Sequence, residues 1–151
     1  MQRSMTSIIR IKYSIPISNN EKDTQLENVD KEILVNINCP LKLILNYIRN
    51  VVGLDDTTEF DLFDEINCQL RKVSFFQPYT SGFDVFQVDL TYIIVTFERD
   101  IHGQMINIIP LLTGKAAKRC TDTLLRSHAF FKKNSSAKSS LKKGINTHRI
   151  V

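Results

Sequence analysis

Three cysteines, three histidines, a cluster of carboxylates and a lysine-rich end are the residues that could do chemistry here. Their spacing decides what kind. Cys39, Cys68 and Cys120 are odd in number, far apart and contain no CxxC pair. Neither a disulfide framework nor a zinc site is therefore expected, and the three read as reduced thiols. His102 falls in a turn beside Gly103, while His128 and His148 stand in the C-terminal region, so no ligand set converges. Cys39, at a helix start, is the best-placed nucleophile, yet no base accompanies it in sequence. No GxSxG, P-loop, GxGxxG or HExxH occurs. The expectation is a protein that is not an enzyme and has no metal, no cofactor and no small-molecule substrate.

The carboxylates are denser. Asp55, Asp56, Glu59, Asp61, Asp64 and Glu65 fall within one short stretch. They lack the DxDxDG spacing of a calcium loop, so they read as a solvated turn or as a face for a basic partner. Asp61, Asp64 and Glu65 are the residues assigned to that face. The opposite charge lies at the C-terminus, where Lys132-Lys133 and Lys142-Lys143 form two pairs that could hold an anionic partner. Their separation loosely resembles a two-part nuclear import signal. Only Phe130 and Phe131 are nearby for base stacking, which argues against sequence-specific RNA readout.

These two groups divide the chain. Residues 1–114 carry 10 Lys/Arg against 15 Asp/Glu, and residues 115–151 carry 10 against 1, so the formal net charge of +4 belongs to neither part. With 151 residues, 42% of them hydrophobic and 24% charged, the chain suits one globular domain. It contains no apolar run long enough to cross a bilayer. Near the N-terminus, the apolar stretch Ile8 to Ile11 is broken by Arg10 and is too short for a secretory signal, which places the protein in the cytoplasm or nucleus.

The elements that position these groups follow from periodicity. Residues 1–6 read as a disordered start. Ile9, Ile11 and Tyr13 alternate with Arg10 and Lys12, predicting a strand over 7–14, and Ile33, Val35 and Ile37 predict a second over 32–37. Between them, 16–30 is polar and reads as a mobile insertion. Leu41, Ile44, Leu45, Ile48, Val51 and Val52 recur at helical spacing, with Asn38 or Cys39 as N-cap, Pro40 in the first turn and Gly53 as the stop. Short strands follow at 60–63 and 70–76, the latter with Val73 and Phe75 facing inward. Then come a loop with Pro78, Ser81 and Gly82, an apolar strand over 91–99 buried on both faces, and an edge strand over 105–112 ended by Pro110. Cys120, Leu124, His128 and Phe131 share a stripe, so 113–151 reads as a frayed basic helix followed by disorder.

Two strands, a helix and further strands ending in a buried one predict an α+β fold of the ubiquitin-like, β-grasp kind over 7–112. It would have a mixed sheet of four to five strands with one helix packed across it. The segment from Ile33 to Leu112 also resembles an animal protein family named for an open reading frame on the human X chromosome. The resemblance rests on Asn38-Cys39-Pro40, Tyr47-Ile48-Arg49, Asp61-Leu62 with Asp64-Glu65, Thr91-Tyr92, Glu98-Arg99 and Pro110-Leu111-Leu112. It implies a fold and no catalytic residues. In addition, Lys12 and the run from Phe60 to Glu65 are similar to the basic and acidic faces of PB1-type domains, which join head to tail.

The functional expectation is a non-catalytic intracellular module that binds one or more protein partners. The alternative is a nucleic-acid-associated protein that holds phosphates through its tail. Ubiquitin-type conjugation is not expected, because the sequence printed ends in Ile150-Val151 with no Gly-Gly terminus.

Overall fold

A computed structural model describes residues 6–16 and 28–127. The predicted disorder before residue 6, most of the polar insertion and the tail beyond residue 127 lie outside the described residues. The fold is α+β, a mixed six-stranded sheet with a few helices.

β1 (Ile8–Pro16) and β2 (Asn28–Asn36) form an antiparallel pair in continuous register from Ile8↔Asn36 to Pro16↔Asn28. Both strands run into the segment expected to be a mobile insertion. Across the pair, Ser14 Oγ donates to the Asp30 carboxylate, and Ile15 packs against the core. The polar composition of 28–31 hid this, because a strand at the sheet margin needs few apolar residues to pair its backbone.

α1 (Leu41–Val52) lies across one face and buries Leu41, Ile44 and Ile48. Its N-cap is Pro40, expected in the first turn after an Asn38 or Cys39 cap, and no side chain caps it. Instead the orphan amides of Leu41 and Lys42 donate to the carbonyls of Thr80 (2.8 Å) and Pro78 (3.0 Å), so a distant loop closes the helix. Gly53 ends α1 in the left-handed conformation, its N–H donating to Arg49 O.

β3 (Glu59–Asp64) pairs with β5 (Thr91–Arg99), and β4 is only Gln69–Leu70. The strand expected over 70–76 is absent. Lys72 takes a positive φ of 54°, and Val73–Phe75 form a 3-10 turn. A short helix α2 (Gly82–Val85) then tucks Val85 and Phe86 under α1. Gly82 sits so tightly that an added Cβ would stand 2.3 Å from Ile37 O and 2.5 Å from Ile44 Cδ1.

β5 is the centre. One edge pairs with β3. The other is shared along its length: β1 runs parallel beside Thr91–Ile93, and β6 (Met105–Pro110) runs antiparallel beside Val95–Arg99. Leu111 stitches the junction, donating to Ile94 O (2.8 Å) and accepting from Ser14 N (2.7 Å). The strand order is β2-β1-β5-β3-β4, with β6 on β5.

Alternation puts Tyr92 and Ile94 on the α1 face and Ile93 and Val95 on the opposite face. That second face is covered. Helical backbone runs over 114–127, here α3, and places Cys120 and Leu124 against Phe63, Ile93 and Val95. The folded unit therefore extends past the boundary expected near residue 112. Residues 114–127, at the start of the expected basic tail, are a wall of the domain.

Gly82→Ala should lower unfolding free energy by about 2 kcal/mol, the scale of forced overpacking in a core. Urea unfolding checks this, with an unchanged denaturant slope expected.

Candidate docking surface

Two members of the expected acidic face are not on the surface. Asp61 is 3% exposed and Asp64 is 0% exposed. Asp61 accepts from the backbone N–H groups of Leu62 (2.7 Å), Lys72 (3.0 Å) and Val73 (3.3 Å). Those bonds draw residues 72–73 away from the sheet ladder, which is why the expected strand breaks there. Burial pushes the Asp61 carboxyl above its ordinary value of 3.8, and the three amides offset that only in part.

Asp64 has the opposite balance. Burial would raise it, but the Asn67 side chain (2.7 Å), the amides of Asn67 and Ile66, and Arg71 (3.0 Å) hold it below its ordinary value. Arg71 also lies over the Tyr92 ring at 5.9 Å. Asp64 thus builds the turn over 65–68 and cannot meet a partner.

Glu65 is partly exposed, and Lys12 of the same chain lies 3.9 Å from its carboxylate. The sheet order explains this contact, because Lys12 and Phe63 both pair with Ile93. The basic strand and acidic turn read as complementary faces for two molecules therefore meet within one. Glu59 is likewise engaged by Arg99 at 3.1 Å. Of the cluster, Asp55, Asp56 and Glu59 are exposed, and Glu59 is the one paired to Arg99. Lys132, Lys133, Lys142 and Lys143 lie outside the described residues.

What the fold does display is aromatic. Phe75 is 82% exposed and Tyr79 is 84% exposed, with Phe76 and Phe83 half-exposed beside them. The segment carrying them is fixed at both ends. Asp61 holds the amides of 72–73, Pro78 O and Thr80 O receive the α1 amides, and Gly82 N donates to Cys39 O (3.0 Å). Loop backbone tied this way holds its side chains in place and loses little freedom when a partner binds.

Residues 73–76 form a ridge between two clefts. The first, about 400 Å³, lies between α1 and the ridge; Leu45, Phe60, Val73, Phe76 and Phe97 form its apolar lining, and Lys42 and Arg49 also line it. Arg49 is immobilised, donating to Asp55 O and Thr58 O and lying 5.2 Å over the Phe60 ring. The second, about 730 Å³, is lined by Leu70, Phe75, Met105, Ile108 and Leu124, with Asp61 and Arg99 among its polar groups. Phe76 belongs to one cleft and Phe75 to the other.

A signal for this surface was present in the sequence. Phe75, Phe76, Tyr79 and Phe83 are interleaved with Pro78, Ser81 and Gly82, and large aromatics among turn formers are hard to bury. Reading 70–76 as a strand turned Phe75 inward and concealed it.

Among the described residues, no group of three or more His, Cys, Asp or Glu is arranged to hold a metal ion, and no helix is long and apolar enough to cross a membrane. This acidic-cored sheet with an aromatic ridge falls within a recognised family. Residues 28–116, more than half the chain, match the family model described as "Putative Interleukin 2 receptor, gamma chain", and the chain belongs to that family. Among curated proteins and solved structures, nothing matches the chain. The matched span runs from the start of β2 into the first residues of α3.

The two buried carboxylates should separate in pH. Stability supplied by Asp64 is present above its unfolded value near 3.8 and is lost as pH falls through the lower folded value. Asp61 runs the other way: stability declines as pH rises from 3.8 through the raised folded value. Urea midpoints taken from about pH 3 to about pH 7 check both signs. The margin of the wild type over Asp64→Asn should widen as pH rises, and its margin over Asp61→Asn should narrow.

Proposed function

We propose that this chain is a non-catalytic protein-interaction module of ubiquitin-like, β-grasp type, acting in the cytoplasm or nucleus. The β-grasp reading draws support from the strand order, from the parallel contact of β1 and β5, and from one twelve-residue helix lying across a face. The pieces that resemble the X-chromosome reading-frame family fit the same reading, since they fall from the start of α1 to the end of β6.

The observation that carries the function is the aromatic ridge. Burying a large aromatic contributes on the order of 2–3 kcal/mol, and residues of this kind anchor protein interfaces. Two of them stand more than four-fifths exposed on backbone fixed at both ends. The partner implied is a protein that supplies apolar side chains to the two clefts. The family description names a receptor chain, and recognition of another protein is what that description and the ridge have in common. Docking moves from the acidic turn expected at first to the surface around Phe75 and Tyr79.

A second reading rests on charge. Lys115, Lys118, Arg119 and Arg126 lie exposed on α3, and the net charge of 115–151 is strongly positive. Phosphate binding by this region would make the domain a positioning element for nucleic acid.

The test compares the full chain with a Phe75→Ser/Tyr79→Ser variant as bait after chemical crosslinking. A partner recovered in stoichiometric amount should fall about tenfold or more, equivalent to about 1.4 kcal/mol, with the urea midpoint unchanged. Undiminished recovery contradicts the ridge. Micromolar binding to mixed RNA that weakens steeply with salt and is unaffected by the two substitutions would favour the second reading.

A further inference from the structure

Two of the three cysteines belong to one packed cluster on the α3 side of the sheet. Cys120 is fully buried there with Phe63, Ile93, Val95 and Leu124, and Cys68, at the end of the β3–β4 turn, packs against the same cluster. Burial, and secondarily the nearby Cys68, pushes the Cys120 thiol up to about 12. Access differs between the two. Cys68 is only partly buried and lines the larger cleft, whereas Cys120 has no exposed surface. Cys39 belongs to the other face, beside the start of α1, where its thiol donates to Asn36 O (3.5 Å).

A partly exposed thiol packed in one cluster with a buried one gives an entry point and a second sulfur within the same cluster. The raised Cys120 thiol makes the second exchange the slow step, faster as pH rises. We propose that Cys68 and Cys120 form a redox modification site, in which Cys68 captures a low-molecular-weight disulfide and Cys120 converts the adduct into an internal disulfide that pins α3 to the β3–β4 turn. In the first step the Cys68 sulfur attacks one sulfur of the small disulfide, a mixed disulfide forms, and one thiol leaves carrying the proton lost from Cys68. In the second the Cys120 sulfur attacks Cys68 Sγ, the internal bond forms, and the second thiol leaves with the proton lost from Cys120. The protein is oxidised by two electrons and the small disulfide is reduced to two thiols.

The bridge closes a loop of roughly fifty residues, and cross-links of that span act by restricting the unfolded chain. It fixes the helix that covers Ile93 and Val95. Cys68 borders the cleft that Phe75 also lines. The exchange uses neither Phe75 nor Tyr79 and is read on the isolated chain, so its failure and the failure of the docking proposal are distinguishable.

The probe is oxidised glutathione, added in excess to the full reduced chain, followed by acid quench, alkylation and mass analysis. The expected product has lost two hydrogen atoms at Cys68 and Cys120 and retains no glutathione on either, any single adduct being on the equally accessible Cys39. On tryptic digestion, the peptide of residues 50–71 should be joined to that of 120–126, and the melting temperature should rise by about 5 °C. Cys120→Ala should stop at a glutathione adduct on Cys68. Cys68→Ser, which keeps Cys39 and Cys120, should form no internal disulfide, and it decides the question alone if the buried substitution prevents folding. A wild-type chain that stays at the Cys68 adduct, or a linked peptide that contains Cys39, would overturn the proposal.

Discussion

The rest of this structure depends on a strand that cannot be left wet on either side. Tyr92, Ile93, Ile94 and Val95 of β5 are all fully buried, so both faces of the sheet must be covered there. α1 covers one face with three buried side chains, and α3 covers the other with Cys120 and Leu124. The chain reaches the second face through a single crossing point. Leu111 bridges β1 and β5 and packs on the α1 side, and Leu112, next in sequence, packs on the α3 side. Without that crossing, Phe63, Ile93 and Val95 would form an exposed apolar stripe in mid-sheet.

The two buried aspartates set the rest of the shape. Each gives up hydration and recovers it from local amides, and Asp64 also has Arg71. Asp61 determines where the chain leaves the sheet after β4, and so where the ridge begins. Asp64 closes the turn that carries Cys68. Asp61 and Asp64, expected on an exposed acidic face, are buried braces of the backbone beneath the aromatic side chains. The exposed aromatic side chains of 75–83 stand on the backbone that Asp61 holds beneath them.

Periodicity in the sequence was enough for some elements. The apolar run of β5 and the helical stripe of α1 identified both, because each buries several residues at one regular spacing. The extension of β1 and β2 was not legible, since its residues are polar and pair through the backbone. The helix of α3 and its stripe with Cys120 and Leu124 were legible in the sequence, but its packing onto the sheet was not, because the lysines and arginines around that pair dominate the composition. The burial of Asp61 and Asp64 depends on amides eleven residues ahead and on an arginine seven ahead, which no local pattern announces. The ridge was hidden with them, because the strand assigned to 70–76 would have required Phe75 to point inward.

α3 belongs to the domain and seals its second face. Leu124 and Leu125 are adjacent, yet Leu124 is 9% exposed and Leu125 is 62% exposed. Urea unfolding of the full chain carrying Leu124→Ala or Leu125→Ala therefore tests the claim directly. Loss of about 2–3 kcal/mol for Leu124→Ala, with Leu125→Ala within about 0.5 kcal/mol of wild type, is the result predicted. Equal and small effects from the two substitutions would contradict it, and would return residues beyond 112 to the status of an appendage.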